Sequence, residues 1–420
     1  MGFSLEETLL LECLRAERDP EAVRKVRRLA GRPLDWQRFL RTAARNHLAA
    51  LIYDRLRTLG GGAVPPWTMQ ALEQEYHRVG FRNARNYAEL GHLLRSLKDR
   101  RVEVIVLKGA ALAETVWKNI ALRPMADMDL LVPRDDLREA ERTLLRNGYA
   151  PDRGAPPPGS SWDQYHHLPY CRSDPHLTVE IHHNIVHPRR VYPLEFDVGK
   201  FWERAQVAQI AGVDTHVLSP EDTILHLCLH QCTYDPFVGK IKNLLDVAKV
   251  IDFYGARLRW DLILTEAGRT RAAKFAYYTL LFAATALAAR VEPEVCPRLR
   301  AQFTLLPFED PLLRAVITRN LLVRDEGASV FPTWLLVPIS SELLGPGESQ
   351  DRVRSILRLL FLPPAESPAG STARSVSLQA VAHLWVRRLG KVSQKIGRRI
   401  MGRMDNDSQR SRLYDRSSRG

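Results

Sequence analysis

Long apolar runs are scarce in this sequence. The longest is FAYYTLLFAATALAA (275–289), bounded by Lys274 and Arg290, and it falls short of the ~18 to 20 residues that a bilayer-spanning helix needs. It reads as a buried core helix, and no transmembrane segment is expected. The opening MGFSLEETLL has no basic stretch followed by an apolar one, and Glu6 stands where a myristoylation signal wants Ser or Thr, which predicts a cytoplasmic protein. Cysteine is sparse as well. The five residues, at 13, 171, 228, 232 and 296, are odd in number and lack paired zinc-ribbon spacing, which excludes a disulfide scaffold and fits a reducing compartment. No Walker loop, G-x-G-x-x-G turn or Ser-His-Asp set is present.

What is present is enough apolar material, 45% of 420 residues, for a large core divided into two or three lobes. The net charge of +13 is uneven. Residues 387–420 hold eleven Lys and Arg against three Asp, the composition of a solvated tail that makes weak polyanion contacts rather than reading a nucleic-acid sequence.

Periodicity divides the chain. Residues 1–97 form an N-terminal helical region: FSLEETLLLECLRA, DWQRFLRTAARNHLAALIYDRLRTL and WTMQALEQEYHRVGFRNARNYAELGHLLRSLKDR place apolar residues three and four apart, with GGGAVPP as a breaker. Residues 98–215 alternate between strand and helix. VEVIVL (102–107), MDLLVP and LTVEIHHN (177–184) predict strands, AALAETVW and RDDLREAERTLLRNGY predict helices, and DRGAPPPGSSWD predicts a loop. A helical lobe follows over 216–300. It opens on SPEDTILHLCLHQC with Ser219 as cap, Pro220 in the first turn and Asp222 at capping-box spacing, and continues through NLLDVAKVIDFY. Residues 301–386 read as a further helical region and 387–420 as the basic tail. The expected class is α+β, with a small mixed sheet flanked by helical regions.

Within LRPMADMDLLVP, Asp127 and Asp129 share one face of a strand while Met128, Leu130 and Val132 take the other. Two carboxylates side by side repel, and a hard divalent cation is the natural relief. Glu180 and His182 repeat the pattern on the later strand. If the two strands are neighbours, three carboxylates converge on a two-metal site for phosphoryl or nucleotidyl transfer. Upstream, Lys108-Gly109 ends a strand and opens a helix, where backbone N–H groups and a glycine could hold a triphosphate.

This order of glycine turn, D-x-D strand and third acidic strand resembles the DNA polymerase β-like nucleotidyltransferase superfamily. More closely, VLKGAAL, RPMADMDLLV, NGY, VEIHHNI and LSPEDTILHLCLH are similar to uncharacterised bacterial nucleotidyltransferases found near peptide-tailoring and polysaccharide clusters, over roughly residues 5 to 300. The resemblance implies Asp127, Asp129 and Glu180 as catalytic metal ligands for two Mg²⁺ or Mn²⁺ ions. It implies Lys108, Gly109 and Arg123 at the nucleotide, and Lys242, on a helix that faces the nucleotide in similar proteins, as a secondary contact. The partners implied are an NTP and an acceptor that is a small molecule, peptide, saccharide or RNA. The superfamily's usual Gly-Ser is Gly109-Ala110 here, and the spacing from Gly109 to Asp127 is longer than in compact members.

Other residues have plainer readings beside functional ones. His182 either orients Glu180 or contacts phosphate, or is a hydrogen-bonded strand histidine; His166, His167 and His183 stand near it in sequence logic. His226 and His230 lie four apart on a helix, as do Cys228 and Cys232, but interleaved leucines favour half-buried histidines over a zinc site. Lys242 and Asp246 have the spacing of an ordinary helical ion pair. A rival function is a degenerate scaffold of the same fold that binds RNA, an anionic surface or a partner enzyme. Gly109→Val is expected to block a triphosphate with little effect on the buried apolar faces.

Overall fold

In the computed structural model, residues 3–323 are described apart from 61, 153–161, 163–164, 174–176, 186–193, 195, 234–238, 240 and 306–308. The basic tail and most of the 301–386 region lie outside the described residues. The chain opens with five helices: α1 (Leu5–Arg15), α2 (Pro20–Ala30), α3 (Trp36–Arg45), α4 (Ala49–Leu59) and α5 (Pro66–Asp99). The segment 35–59, read as one helix, is two. His47 at its middle has φ +57°, which no α-helix accommodates. Beside it the buried Asn46 clamps the chain near its described end, accepting from Val323 N at 2.8 Å and donating to Val323 O at 3.1 Å.

Strand β1 (Ile105–Val106), α6 (Lys108–Thr115), β2 (Asp127–Leu131), α7 (Leu137–Arg146), β3 (Ala150–Pro151), β4 (His167–Arg172) and β5 (Leu177–His182) follow, then α8 (Val198–Arg204), β6 (Gln206–Ile210) and β7 (Val213–Val217). The sheet runs β3-β4-β5-β2-β1-β7-β6. The β2–β5 and β1–β7 pairs are parallel and the other pairings antiparallel. The fold is therefore α+β with a mixed sheet of seven strands among the described residues. Sequence periodicity missed β3, β4 and the β6–β7 hairpin.

The last helices are α9 (Pro220–Thr233), α10 (Ile241–Tyr254), α11 (Trp260–Arg269), α12 (Ala273–Leu287), α13 (Val295–Arg300) and α14 (Glu309–Asn320). The start of α9 is capped as its sequence predicts: Ser219 Oγ accepts from Asp222 N at 3.2 Å and donates to its carboxylate at 2.7 Å. The apolar run at 275–289 is buried as α12, and no helix of the described residues is long and apolar enough to cross a membrane.

Alternation along β2 separates two cores. Met128, Leu130 and Val132 pack with α5 and α7, whereas Leu131 joins Ile105 and Leu107 against the helices α9, α10 and α12. Asp127 and Asp129 share Leu131's face, so both acids look toward the helical side. The long α5 backs the sheet closely. At Gly91 an added Cβ would lie 2.7 Å from Ala211 O on the β6–β7 turn, so only glycine permits this approach. The same helix holds the parts around the acids: Asn83 Nδ2 donates to Ile120 O (2.6 Å) and Arg123 O (2.9 Å), and Tyr87 Oη donates to Ala110 O (2.6 Å).

Candidate active site

The site begins where β1 turns into α6. Lys108 sits at that turn with φ +47°, a left-handed conformation that costs an L residue ~1 kcal/mol or more. The turn carries its side chain back over the sheet, where Nζ donates to Asp129 Oδ1 at 2.7 Å. The parallel register sets Asp129 opposite Glu180, Asp127 opposite Thr178 and Leu131 opposite His182. His182 Nε2 stands 2.9 Å from the same Asp129 oxygen and 3.3 Å from Glu180 Oε2. Asp129, Glu180 and His182 thus present ligand atoms within 4.8 Å of one another. Asp127, half-buried, stands at the rim of this group, and among the described residues its carboxylate accepts no hydrogen bond or ion pair.

The electrostatics follow from this geometry. Asp129 is buried, which disfavours its charge, but Lys108 and then His182 hold its carboxyl well below the usual range. Burial likewise opposes the charges on Lys108 and His182. Asp129 nonetheless holds the ammonium above its ordinary pKa, and hydrogen bonds to Asp129 and Glu180 hold the imidazole above its own. Asp127 goes the other way: burial first, then the charges of Asp129 and Glu180, raise it. The group therefore has one acid already neutralised by the protein and one that is not.

Gly109 is buried next to Lys108, and the space where a side chain would stand faces the protein itself. An added Cβ would lie 3.1 Å from Met125 Cγ and 3.2 Å from Arg123 Nη1. The glycine makes room for the segment leading into β2. This corrects the expectation that Gly109→Val spares the buried faces. The valine should displace Met125 and Arg123, costing ~1–3 kcal/mol as overpacking does, visible as a lower urea midpoint. An unchanged midpoint would show that the neighbours yield freely.

Arg123 is not a free cation at the nucleotide side. Its Nε and Nη2 hold the Asp246 carboxylate at 2.8, 2.9 and 2.6 Å, and Nη1 donates to Pro124 O at 2.7 Å. Trp117 Nε1 completes the shell of Asp246 at 2.9 Å. Asp246 therefore pairs with Arg123 and not with Lys242, which corrects the helical ion pair expected from spacing. Lys242 instead donates to Pro124 O at 3.2 Å. Burial, and then the nearby Arg123 guanidinium, bring its pKa down to about 7.

Arg82 of α5 contributes to the same positive surroundings of Lys242, and its Nε is buried with no acceptor among the described residues. Nothing in the sequence marked Arg82, because only tertiary packing turns that face of α5 toward α10. His226 is buried near Lys108 and His182, and burial with those neighbouring cations brings its pKa down to about 3. It stays neutral. The zinc alternative on α9 finds no support. His230 bonds Asn243 at 3.1 Å, and burial holds the Cys228 thiol far above its ordinary range. His183 turns away from the acids, toward Tyr165 O at 2.7 Å.

Residues 32–288 match the uncharacterised nucleotidyltransferase family. The chain belongs to that family. The matched stretch covers α3 through α12, and so includes every residue brought to the acidic group as well as the Arg123–Asp246 pair. No curated protein matches the chain.

Proposed function

We propose that this family member is a divalent-metal-dependent nucleotidyltransferase that passes a nucleoside monophosphate from an NTP to an acceptor nucleophile, with release of pyrophosphate. The observation that carries the reading is the β2–β5 register, which aligns Asp129 with Glu180 and leaves Asp127 beside them with no hydrogen-bond or ion-pair partner among the described residues and a carboxyl raised by burial and by those two acids. The donor set fits a hard dication: among the described residues Asp127 is an acceptor without a donor, and Asp129 directs only Oδ1 at Lys108 and His182. Two Mg²⁺ or Mn²⁺ ions would be held by Asp127, Asp129 and Glu180, and would supply charge neutralisation at the transferring and leaving phosphates.

The chain's own residues prepare this. Lys108 fixes the orientation of Asp129 through one oxygen. His182 spans Asp129 and Glu180 and keeps the two carboxylates together. Lys242 near Asp127, with Arg82 near Lys242, offers positive charge for the triphosphate, a role that Gly109 and Arg123, both packed into the protein, are less free to play. Water exclusion at the inner edge falls to Leu131 and the apolar face of α9.

Incubating the full chain with each α-labelled NTP, Mg²⁺ or Mn²⁺ and a cell extract tests the reading. Label transferred to an acceptor is expected with one nucleotide and is lost with chelator. No label with any NTP would overturn it. The acceptor, whether small molecule, peptide, saccharide or RNA, is identified by what carries the label.

Lys242 gives a separate expectation. Because its folded pKa lies near 7, far below that of an unfolded lysine, the folded state binds fewer protons and stability should rise as pH increases from about 7 toward the unfolded value. Lys242→Met should flatten that rise, melt higher than wild type at neutral pH, and bind NTP more weakly. Thermal melts across pH and nucleotide titration check both arms; an unaltered NTP affinity would place the triphosphate elsewhere.

A further inference from the structure

Beside the carboxylates stands a second group of ligand-type side chains, two of which, His166 and His167, have no part in the transfer reaction proposed above. His166, His167 and His182 each bring a ring nitrogen within 4.8 Å of the others. The antiparallel register pairs His167 with His182 directly. The imidazole centroids lie 4.1 Å apart for 166–167, 4.9 Å for 167–182 and 5.8 Å for 166–182. His167 Nδ1 is 2.7 Å from His166 Nε2. At that distance the two nitrogens share one proton. Their spacing is close to the ~3.0–3.4 Å that separates adjacent donors around a cation bound at ~2.1 Å.

Glu180 joins this group to the acidic one. Its Oε1 is 3.7 Å from His167 Nε2 and its Oε2 is 3.3 Å from His182 Nε2. His182 is buried, and its Nδ1 has no partner among the described residues, an arrangement that is costly unless something else supplies one. Imidazole nitrogen is a ligand for borderline dications, whereas Mg²⁺ keeps to oxygen.

We propose that His166, His167 and His182, beside Glu180, form a binding site for a borderline transition-metal dication of the Zn²⁺ or Co²⁺ kind, distinct from the oxygen-lined position at Asp127 and Asp129. The site does not depend on nucleotidyl transfer. Glu180 lies between the two positions, so occupancy on the histidine side would fix the carboxylate that the acidic side uses.

Titration of the full chain with Co²⁺ tests this through its visible absorption. A saturable band, displaced by Zn²⁺, is expected in wild type. His167→Ala should weaken Co²⁺ binding by about tenfold or more, the scale on which disturbed metal sites lose affinity. Asp127→Asn should keep the band. X-ray absorption of the Zn²⁺-loaded wild type should show imidazole scattering, and this needs no variant to fold. An oxygen-only shell, an unchanged band in His167→Ala, or loss of the band in Asp127→Asn overturns the proposal. Absence of NTP labelling with the Co²⁺ band intact would instead count against the proposed transfer reaction alone.

Discussion

Asp127→Asn is expected to lower nucleotidyl transfer by about two orders of magnitude or more, the scale on which loss of one preorganised charge-stabilising group acts, while leaving the fold as stable as before or more so. Among the described residues Asp127 is the unpaired member of the acidic group, and burial together with Asp129 and Glu180 raises its carboxyl. A raised folded pKa means the native state binds more protons than the unfolded chain. Its ionised form then costs stability at neutral pH, and the cost disappears as pH falls below the ordinary aspartate range. The variant's advantage in melting temperature should therefore be present at neutral pH and absent in acid. Mg²⁺ should raise the wild-type melting temperature, as a ligand of the native state does, and raise the variant's less. Asp129→Asn is a poorer probe of the metal site. That carboxylate is depressed by Lys108 and His182, so its removal strands the part-buried Lys108 ammonium and the buried His182 and loses stability at neutral pH. If Asp127→Asn retained full metal-dependent transfer, the acid would be structural.

Asp246→Ala should cost ~3–5 kcal/mol of unfolding free energy, the range for breaking a buried pair by removing one partner. Its carboxylate is fully buried and receives Arg123 through two nitrogens and Trp117 through a third. The loss would release Arg123, and with it the segment from Arg123 to Met125 that enters β2 against Gly109. Activity should fall along with stability, although Asp246 touches none of the acids. The double variant Arg123→Met with Asp246→Leu should recover much of the stability, since apolar replacement of a whole buried pair is often neutral. Urea unfolding midpoints measure both. A loss below ~1 kcal/mol in Asp246→Ala would show that water reaches the guanidinium.

The acidic residues were legible in sequence because strand alternation is rigid: Asp127 with Asp129, and Glu180 with His182, follow from period two alone. The pairing of their strands, by contrast, is long-range and had to be assumed. The elements missed have local causes. The segment HLPYCR carries a proline and a histidine in a strand, which obscures β4. The β6–β7 turn is Ala211-Gly212, with φ +52° and +71°, and alanine in a left-handed position gives no turn signal. The split of α3 from α4 depends on one residue, His47. Lys108 was placed at the phosphate by resemblance, yet its left-handed backbone points it at Asp129, a contact 21 residues away in sequence that no spacing rule encodes.

The alignment of β2 with β5 also makes the acidic group self-checking. Met128, Leu130, Val179 and Ile181 are fully buried on the face opposite the acids. A slip of one residue between these strands would turn Val179 and Ile181 outward and drive Glu180 into the apolar layer beneath. Any chain that satisfies its core has therefore already set Asp129 opposite Glu180. Misregistered molecules should be unstable rather than inactive, and a folded population should contain few copies with two acids aligned and the third displaced.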